Sequence, residues 1–189
     1  MPPRIKISKK EIIAGGIDFI RKVGVEALCA RSLAKWLGIS TQPIFSNFEN
    51  MDELIDAITL EAREISFEYT KKMLESGVYP PYKTSGMAYI KFAKEERELF
   101  RLLFMDGKNR LDNFEGYEKI IEGMRAALNT TSEIAREIHF HTWSFVHGIA
   151  TMINTDFLSL EDEVISEMLT NIYEGLKFRY NLTATPKSK

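Results

Sequence analysis

Three histidines, His139, His141 and His147, and one cysteine, Cys29, are the side chains best suited to hold a transition metal. Their spacing argues against it. On a helix His139 and His141 diverge by about 200°, and neither lies four residues from another histidine. Glu137 and His141 share a face, but two ligands do not make a site, so no metal and no cofactor is expected. A single cysteine excludes an internal disulfide and a cysteine-rich zinc site. No glycine-rich phosphate loop is present, and no serine–histidine pair stands in a nucleophile-elbow context. The expectation is a protein that is not an enzyme. Turnover that survived removal of residues 1 to 60 would show otherwise.

A different chemistry is available at "GISTQPIFSNFENMDEL", residues 38 to 54. Thr41, Gln42, Ser46 and Asn47 are neutral side chains that both donate and accept hydrogen bonds, and no acid interrupts them until Glu49. Such groups can meet base edges or phosphates without repelling them. Pro43 fits the first turn of a short helix capped by Ser40, where backbone N–H groups lack intrahelical partners and the fixed φ costs no helix bond. It also disfavours the α region at Gln42, which predicts a slightly irregular first turn.

The charge distribution points the same way. Residues 1 to 48 carry eight Lys/Arg and three acids, a net charge of +5, while the other 141 residues carry 17 basic and 24 acidic side chains, net −7. A basic head on an acidic body suits a polyanionic partner. The 189-residue length accommodates one domain with a substantial core, or a small module joined to a larger one. No stretch approaches the roughly 18 apolar residues of a membrane span, and no apolar run follows the basic residues of "MPPRIKISKK". A cytoplasmic protein without a membrane partner or a secretory signal is expected.

The elements that must position these residues all read as helix. Ser8-Lys9-Lys10-Glu11 is a capping-box pattern, and Ile12, Gly16, Phe19/Ile20 and Val23 follow at helical spacing until Gly24. A second helix fits Cys29 or Ala30 to Leu37, a third Thr41 to Phe48, and a fourth runs from about Asn50 towards Leu74. "SGVYPPYKTSG", residues 76 to 86, reads as the clearest break. Periodicity resumes at Met87, with a kink near Glu95. "DGKNRLDN" reads as a loop, and a helix is predicted around Phe114 to Leu128. Two long helices close the chain, about Thr131 to Phe157 and about Glu161 to Tyr180. The former is apolar over much of its circumference, which predicts burial on two sides. The fold class is all-α.

Within the head, Leu33, Leu37, Ile39 and Ile44 supply an apolar underside and small Ala34 allows close crossing. Gly38 stands where the chain must turn left-handed. That is the internal logic of a helix-turn-helix, whose second helix enters the major groove. The run "ALCARSLAKWLGISTQPIFSNFENMDELIDAI", residues 27 to 58, resembles the DNA-binding domain of the TetR/AcrR family of bacterial transcriptional regulators. It matches in Arg31-x-Leu33-Ala34-x-x-Leu37-Gly38-Ile39-Ser40, in Ile44-Phe45-x-x-Phe48 and in Glu53-Leu54. Further on, Trp143-Ser144-Phe145-Val146-His147-Gly148 resembles the WxxxHG signature of one branch of that family, and "ELFRLLFM", residues 98 to 105, fits the same branch.

The resemblance implies a helix-turn-helix domain over residues 1–50, an effector-binding and dimerisation domain over 51–182, and a disordered tail over 183–189. It implies a homodimer on double-stranded DNA, most simply a repressor released from a palindromic operator by a small apolar or aromatic effector. Lys6, Arg31, Thr41, Gln42, Phe45, Ser46 and Asn47 would face DNA. Tyr89, Phe92, Phe100, Phe104, Met105, Trp143 and His147 are candidates for the effector pocket. Ile138, Phe145, Met152, Met168, Ile172 and Leu176 are candidates for the dimer interface. The chain departs from the family at three positions: Phe45 where tyrosine is usual, Asn47 where histidine is frequent, and Met51 where lysine is frequent. Two phosphate contacts are thereby missing, which shifts the load to helix N-terminal amides and the basic arm. The alternative is a protein of the same fold that acts mainly through other proteins, with DNA only as a platform.

Overall fold

A computed structural model describes residues 7–105 and 116–182. Lys6, the loop expected over 106–113, Phe114 and the tail over 183–189 lie outside the described residues. Among those described, the chain forms α-helices and a single 3-10 turn, with no strand. It separates into two compact units, Met1–Tyr69 with Glu95–Gly107, and Thr70–Lys94 with Lys108–Lys189. The first unit thus extends past the boundary expected at residue 50 and takes in a second stretch of chain.

The first unit begins with α1 (Lys9–Val23), whose start is the capping box read from the sequence. Glu11 N donates to Ser8 Oγ at 3.2 Å and Ser8 N to the Glu11 carboxylate at 2.8 Å. One face of α1 buries Ile12, Ile17, Phe19 and Ile20. After a 3-10 turn at Val25–Ala27 come α2 (Ala30–Leu37), α3 (Gln42–Asn47) and the long α4 (Met51–Ser76). Two glycines on α1 permit unusually close approach. A Cβ on Gly15 would stand 2.3 Å from Leu37 Cδ2 of α2, and one on Gly16 would stand 2.4 Å from Ile58 Cδ1 of α4. The unit is completed by α6 (Arg97–Phe104), which buries Leu99, Phe100, Leu102 and Leu103. Its entrance is tied to α1 by a two-pronged pair, Arg21 Nε and Nη2 donating to the Glu96 carboxylate at 2.8 and 2.7 Å.

The second unit contains α5 (Pro81–Glu95, apart from its last residue), α7 (Tyr117–Leu128), α8 (Ser132–Asn154) and α9 (Asp162–Arg179). Here the expected break over 76–86 shrinks to a few residues. Pro81 opens α5, a position where its missing N–H is no loss. Gly86 lies inside the helix, and a Cβ there would meet Leu169 Cδ2 at 2.6 Å and Val146 Cγ2 at 3.3 Å. The kink expected near Glu95 is a full break between α5 and α6, with Glu96 at φ −115°, ψ 55°. Buried Asn154 closes the unit's core by donating from Nδ2 to Ala93 O at 3.1 Å. Of the apolar sides of α8, one is covered within the chain. Ala135, Ile138, Val146, Ile149 and Ala150 are buried, whereas Phe140 is 59 % exposed.

Candidate functional site

The turn between α2 and α3 is built by Gly38. It sits in the left-handed region at φ 67°, ψ 29°. Gly38 N donates to Lys35 O at 3.3 Å and Ile39 N to Ala34 O at 3.0 Å, the paired bonds of a Schellman motif. Cys29, rather than a serine or aspartate, caps the other end of α2. Its Sγ accepts from Ser32 N at 3.5 Å while Ser32 Oγ accepts from Cys29 N at 2.9 Å. The hydrogen bonds from Ser32 hold this exposed thiol below its ordinary pKa.

A six-residue helix such as α3 is far too short to persist alone. Ile44 at 0 % exposure and Phe48 at 2 % anchor it, and each such burial is worth about 1.5–3 kcal/mol. The predicted Ser40 cap is displaced by one residue. Thr41 occupies the cap position in an αR conformation with no side-chain cap bond, and Pro43 stands in the first turn. Ile44 N and Phe45 N both donate to Thr41 O, at 3.1 and 3.3 Å, so the first turn mixes two helical spacings.

The side chains expected at this tip divide by what they already do. Arg31, Gln42, Phe45 and Ser46 are exposed, Phe45 by 49 %, and Thr41 is half-buried. Ser46 Oγ donates back to Gln42 O at 2.9 Å. Asn47 is half-buried and commits its amide hydrogens to Pro43 O at 2.8 Å and Ile7 O at 3.4 Å. Asn47 therefore ties α3 to the segment preceding α1. Lys9, which sequence reasoning did not single out, does similar work. Its ammonium lies 4.7 Å from the Phe48 ring centroid and 2.7 Å from Glu53. Glu53 also accepts from Glu49 N at 2.6 Å, and Glu53 N donates to Asn50 Oδ1 at 2.9 Å, fixing the start of α4. The result is a short, rigidly seated helix with a neutral outer surface. The chain matches no model of a known protein family, and no curated protein matches it.

The pocket candidates fall in both units. Phe100, Phe104 and Met105 belong to the first. Phe100 is fully buried with its ring 5.2 Å from that of Phe104, and Met105 is 41 % exposed. Tyr89, Phe92, Trp143 and His147 belong to the second. Phe92 is fully buried there. The other three form one group: Tyr89 Oη is 2.9 Å from His147 Nδ1, and the His147 ring stacks on Trp143 at 5.0 Å with planes 9° apart. Burial pushes the Tyr89 phenol up and the His147 imidazole down, so both are neutral near pH 7. A neutral His147 and a neutral Tyr89 share one hydrogen in this contact, and the tautomer of the imidazole sets which of the two donates it.

A second polar-aromatic group escaped the sequence reading. Tyr82 Oη lies 3.2 Å from His139 Nδ1, and the Tyr82 ring lies 5.3 Å from that of Tyr173. Tyr117 meets the His139 ring edge-on at 5.4 Å. These residues come from α5, α7, α8 and α9, so no local spacing could have joined them.

Of the expected interface residues, Phe145, Met152, Met168, Ile172 and Leu176 are half-buried. Ile138 is a correction. At 0 % exposure it is core, packed with Ile121, Met124 and Ala135, and it has no surface to offer a second copy. The exposed apolar side chains on these helices are instead Phe140, Val164 and Phe178, at 59, 44 and 75 %. Among the described residues no three His, Cys, Asp or Glu side chains gather as a metal site, and no helix is long and apolar enough to cross a membrane.

Proposed function

We propose that this chain is a dimeric, ligand-responsive DNA-binding regulator of the TetR/AcrR type, with α3 as the reading helix. One observation carries the reading: a Schellman turn at Gly38 sets α3 against α2, and α3 turns out Gln42, Phe45 and Ser46 without an acid among them. Gln42 can pair with the donor and acceptor of an adenine edge, and Phe45 can cover a thymine methyl. Arg31 and the basic arm, Lys6 included, supply phosphate contacts. A dimer that neutralises about eight phosphates loses affinity with a log–log salt slope of about −7.

The partner surface in this reading is the outer side of α8 and α9. Gly148 and Gly175 face open space there, and Phe140, Val164 and Phe178 are exposed. Two-fold pairing of such a face would set the separation of the two reading helices. A small apolar or aromatic effector then acts by population shift, favouring a separation that no longer matches the half-sites, with α4 as the lever. Repression by default is the simplest output.

Selection of bound duplexes from a random DNA library tests the reading, with Gln42→Ala protein beside the wild type. Recovery of one palindromic site by the wild type, relaxed in the variant, is the expected result. Wild-type protein that enriches no sequence, with or without a panel of aromatic effectors, refutes it.

A further inference from the structure

The side chains of α3 divide by whether they are already engaged. Ser46 Oγ gives its hydrogen to Gln42 O, and Asn47 gives its amide hydrogens to Pro43 O and Ile7 O. Ile44 is core. Among the described residues, the side-chain amide of exposed Gln42 has no hydrogen-bond partner, and the Phe45 ring, 49 % exposed, meets no other ring. Three residues apart on a helix, these two side chains stand about 60° apart around the axis and about 4.5 Å apart along it. They share one face and reach base pairs no more than about two steps of 3.4 Å apart. We propose that Phe45 makes binding depend on a pyrimidine C5-methyl group, that of thymine or of 5-methylcytosine, a reading that rests on α3 being the DNA-reading helix.

The chemistry of the ring selects the methyl. A phenyl group has no donor for a phosphate, and a base-edge nitrogen or oxygen that it covered would lose water without gaining a hydrogen bond. Of the groups that bases present in the major groove, the C5-methyl is the apolar one. In 5-methylcytosine it occupies the same ring position as in thymine, so a phenyl ring treats the two alike. Deoxyribose is a further apolar surface, but every nucleotide carries one, and contact with it transmits no sequence information. Gln42 supplies the neighbouring choice, since its amide pairs with both groups of an adenine edge. The core of each half-site is therefore an adenine close to a pyrimidine that bears a methyl group.

The test starts from the duplex that the full wild-type chain selects from a random library. Each thymine position is replaced in turn, in both half-sites, by deoxyuridine, which removes only the methyl. Affinities are read by fluorescence anisotropy at one fixed salt concentration. One buried methyl is worth about fourfold in affinity, so at one position deoxyuridine should cost about 15-fold over the two half-sites of a dimer. A G·C pair placed there should bind about 15-fold more tightly with 5-methylcytosine than with cytosine. Phe45→Ala should bring both ratios to within about twofold of unity, and Phe45→Leu should leave them in between. Gln42→Ala should weaken binding and leave both ratios at their wild-type values. A selected site at which no methyl matters, or a ratio that survives Phe45→Ala, overturns this inference and leaves the DNA reading standing. A wild-type protein that enriches no sequence overturns both.

Discussion

Replacing Gly16 by alanine sets two measurable effects against each other. In a helix interior alanine is favoured over glycine by about 0.5–1 kcal/mol. The added Cβ, however, would stand 2.4 Å from Ile58 Cδ1 and 2.9 Å from Cγ1, well inside the roughly 3.5–4.0 Å of ordinary carbon contact. Ile58 is 0 % exposed and β-branched at Cβ, so it has little room to turn aside. Overpacking of this kind costs about 1–3 kcal/mol. The clash outweighs the propensity, and Gly16→Ala is expected to destabilise the first unit by about 1–2 kcal/mol. Ile58→Val should cost about 0.5–1.5 kcal/mol in the wild type, yet recover part of the lost stability in the Gly16→Ala background because it removes Cδ1, the nearer of the two clashing carbons. A coupling of about 1 kcal/mol or more is expected from the double-mutant cycle. The chain has two tryptophans, so in a Trp143→Phe background urea unfolding can be followed through Trp36 alone, whose ring meets Phe19 edge-on at 5.7 Å. Should Gly16→Ala prove neutral, with Ile58→Val costing the same in both backgrounds, the close approach of α1 to α4 is not why glycine stands there.

Other outcomes follow from the same geometry. Gly38→Ala meets no neighbouring atom within 4 Å, so its cost is that of the left-handed backbone alone, about 1–2 kcal/mol, and Gly38→Asn should cost less. Asn47→Ala should lower the first unit's stability by about 1–2 kcal/mol through lost bonds to Pro43 and Ile7. Gln42→Ala should leave stability within about 0.5 kcal/mol and alter only the DNA sequences selected. In the second unit, burial lowers the pKa of both His139 and His147. A histidine depressed in the folded state binds its proton preferentially in the unfolded chain, so stability falls as pH drops below about 6.5 and levels off below the folded values. Trp143 emission in a Trp36→Phe protein should therefore titrate with a midpoint below the ordinary histidine range. A midpoint at or above it would show that His147 is not shielded as described. The exposed Cys29 thiol, held low by Ser32, should react with iodoacetamide faster at pH 7 than a free cysteine, and Ser32→Ala should slow it.

What could be read from the sequence was whatever depends on neighbours along the chain. Ser8 and Glu11 lie three residues apart and announce a capping box that the structure forms. Gly38 after an apolar run announces a left-handed turn, and the stretch from Cys29 or Ala30 to Leu37 a short helix. Signals of composition misled where a residue type serves two purposes. Pro81 and Gly86 read as breakers, but one opens a helix and the other makes room for Leu169, a neighbour 83 positions away. The same limit applies to the site. The exposure of Gln42, Phe45 and Ser46 follows from a local helical period. The involvement of Asn47 with Ile7, of Lys9 with Phe48, and of Tyr82 with His139 is fixed by packing between distant segments. Ile138 was misassigned for a related reason: an apolar helix stripe states that something covers it, and not whether the cover comes from its own chain.

The first unit is assembled from two separate stretches, with α6 returning to it after an excursion through residues 70–94. This has a consequence for synthesis and for descent. On the ribosome the unit cannot close when its first 69 residues emerge; it must wait for the segment carrying Glu96 and Leu99 to Leu103 before Arg21 finds its carboxylate and the core is filled. Recombination faces the same geometry. A single crossover after α3 or α4 would join a foreign head to the wrong α6, and the surface at risk includes buried Leu99 and Phe100. Exchange of this unit between related chains therefore calls for paired crossovers, or for a donor whose α1 and α6 have changed together.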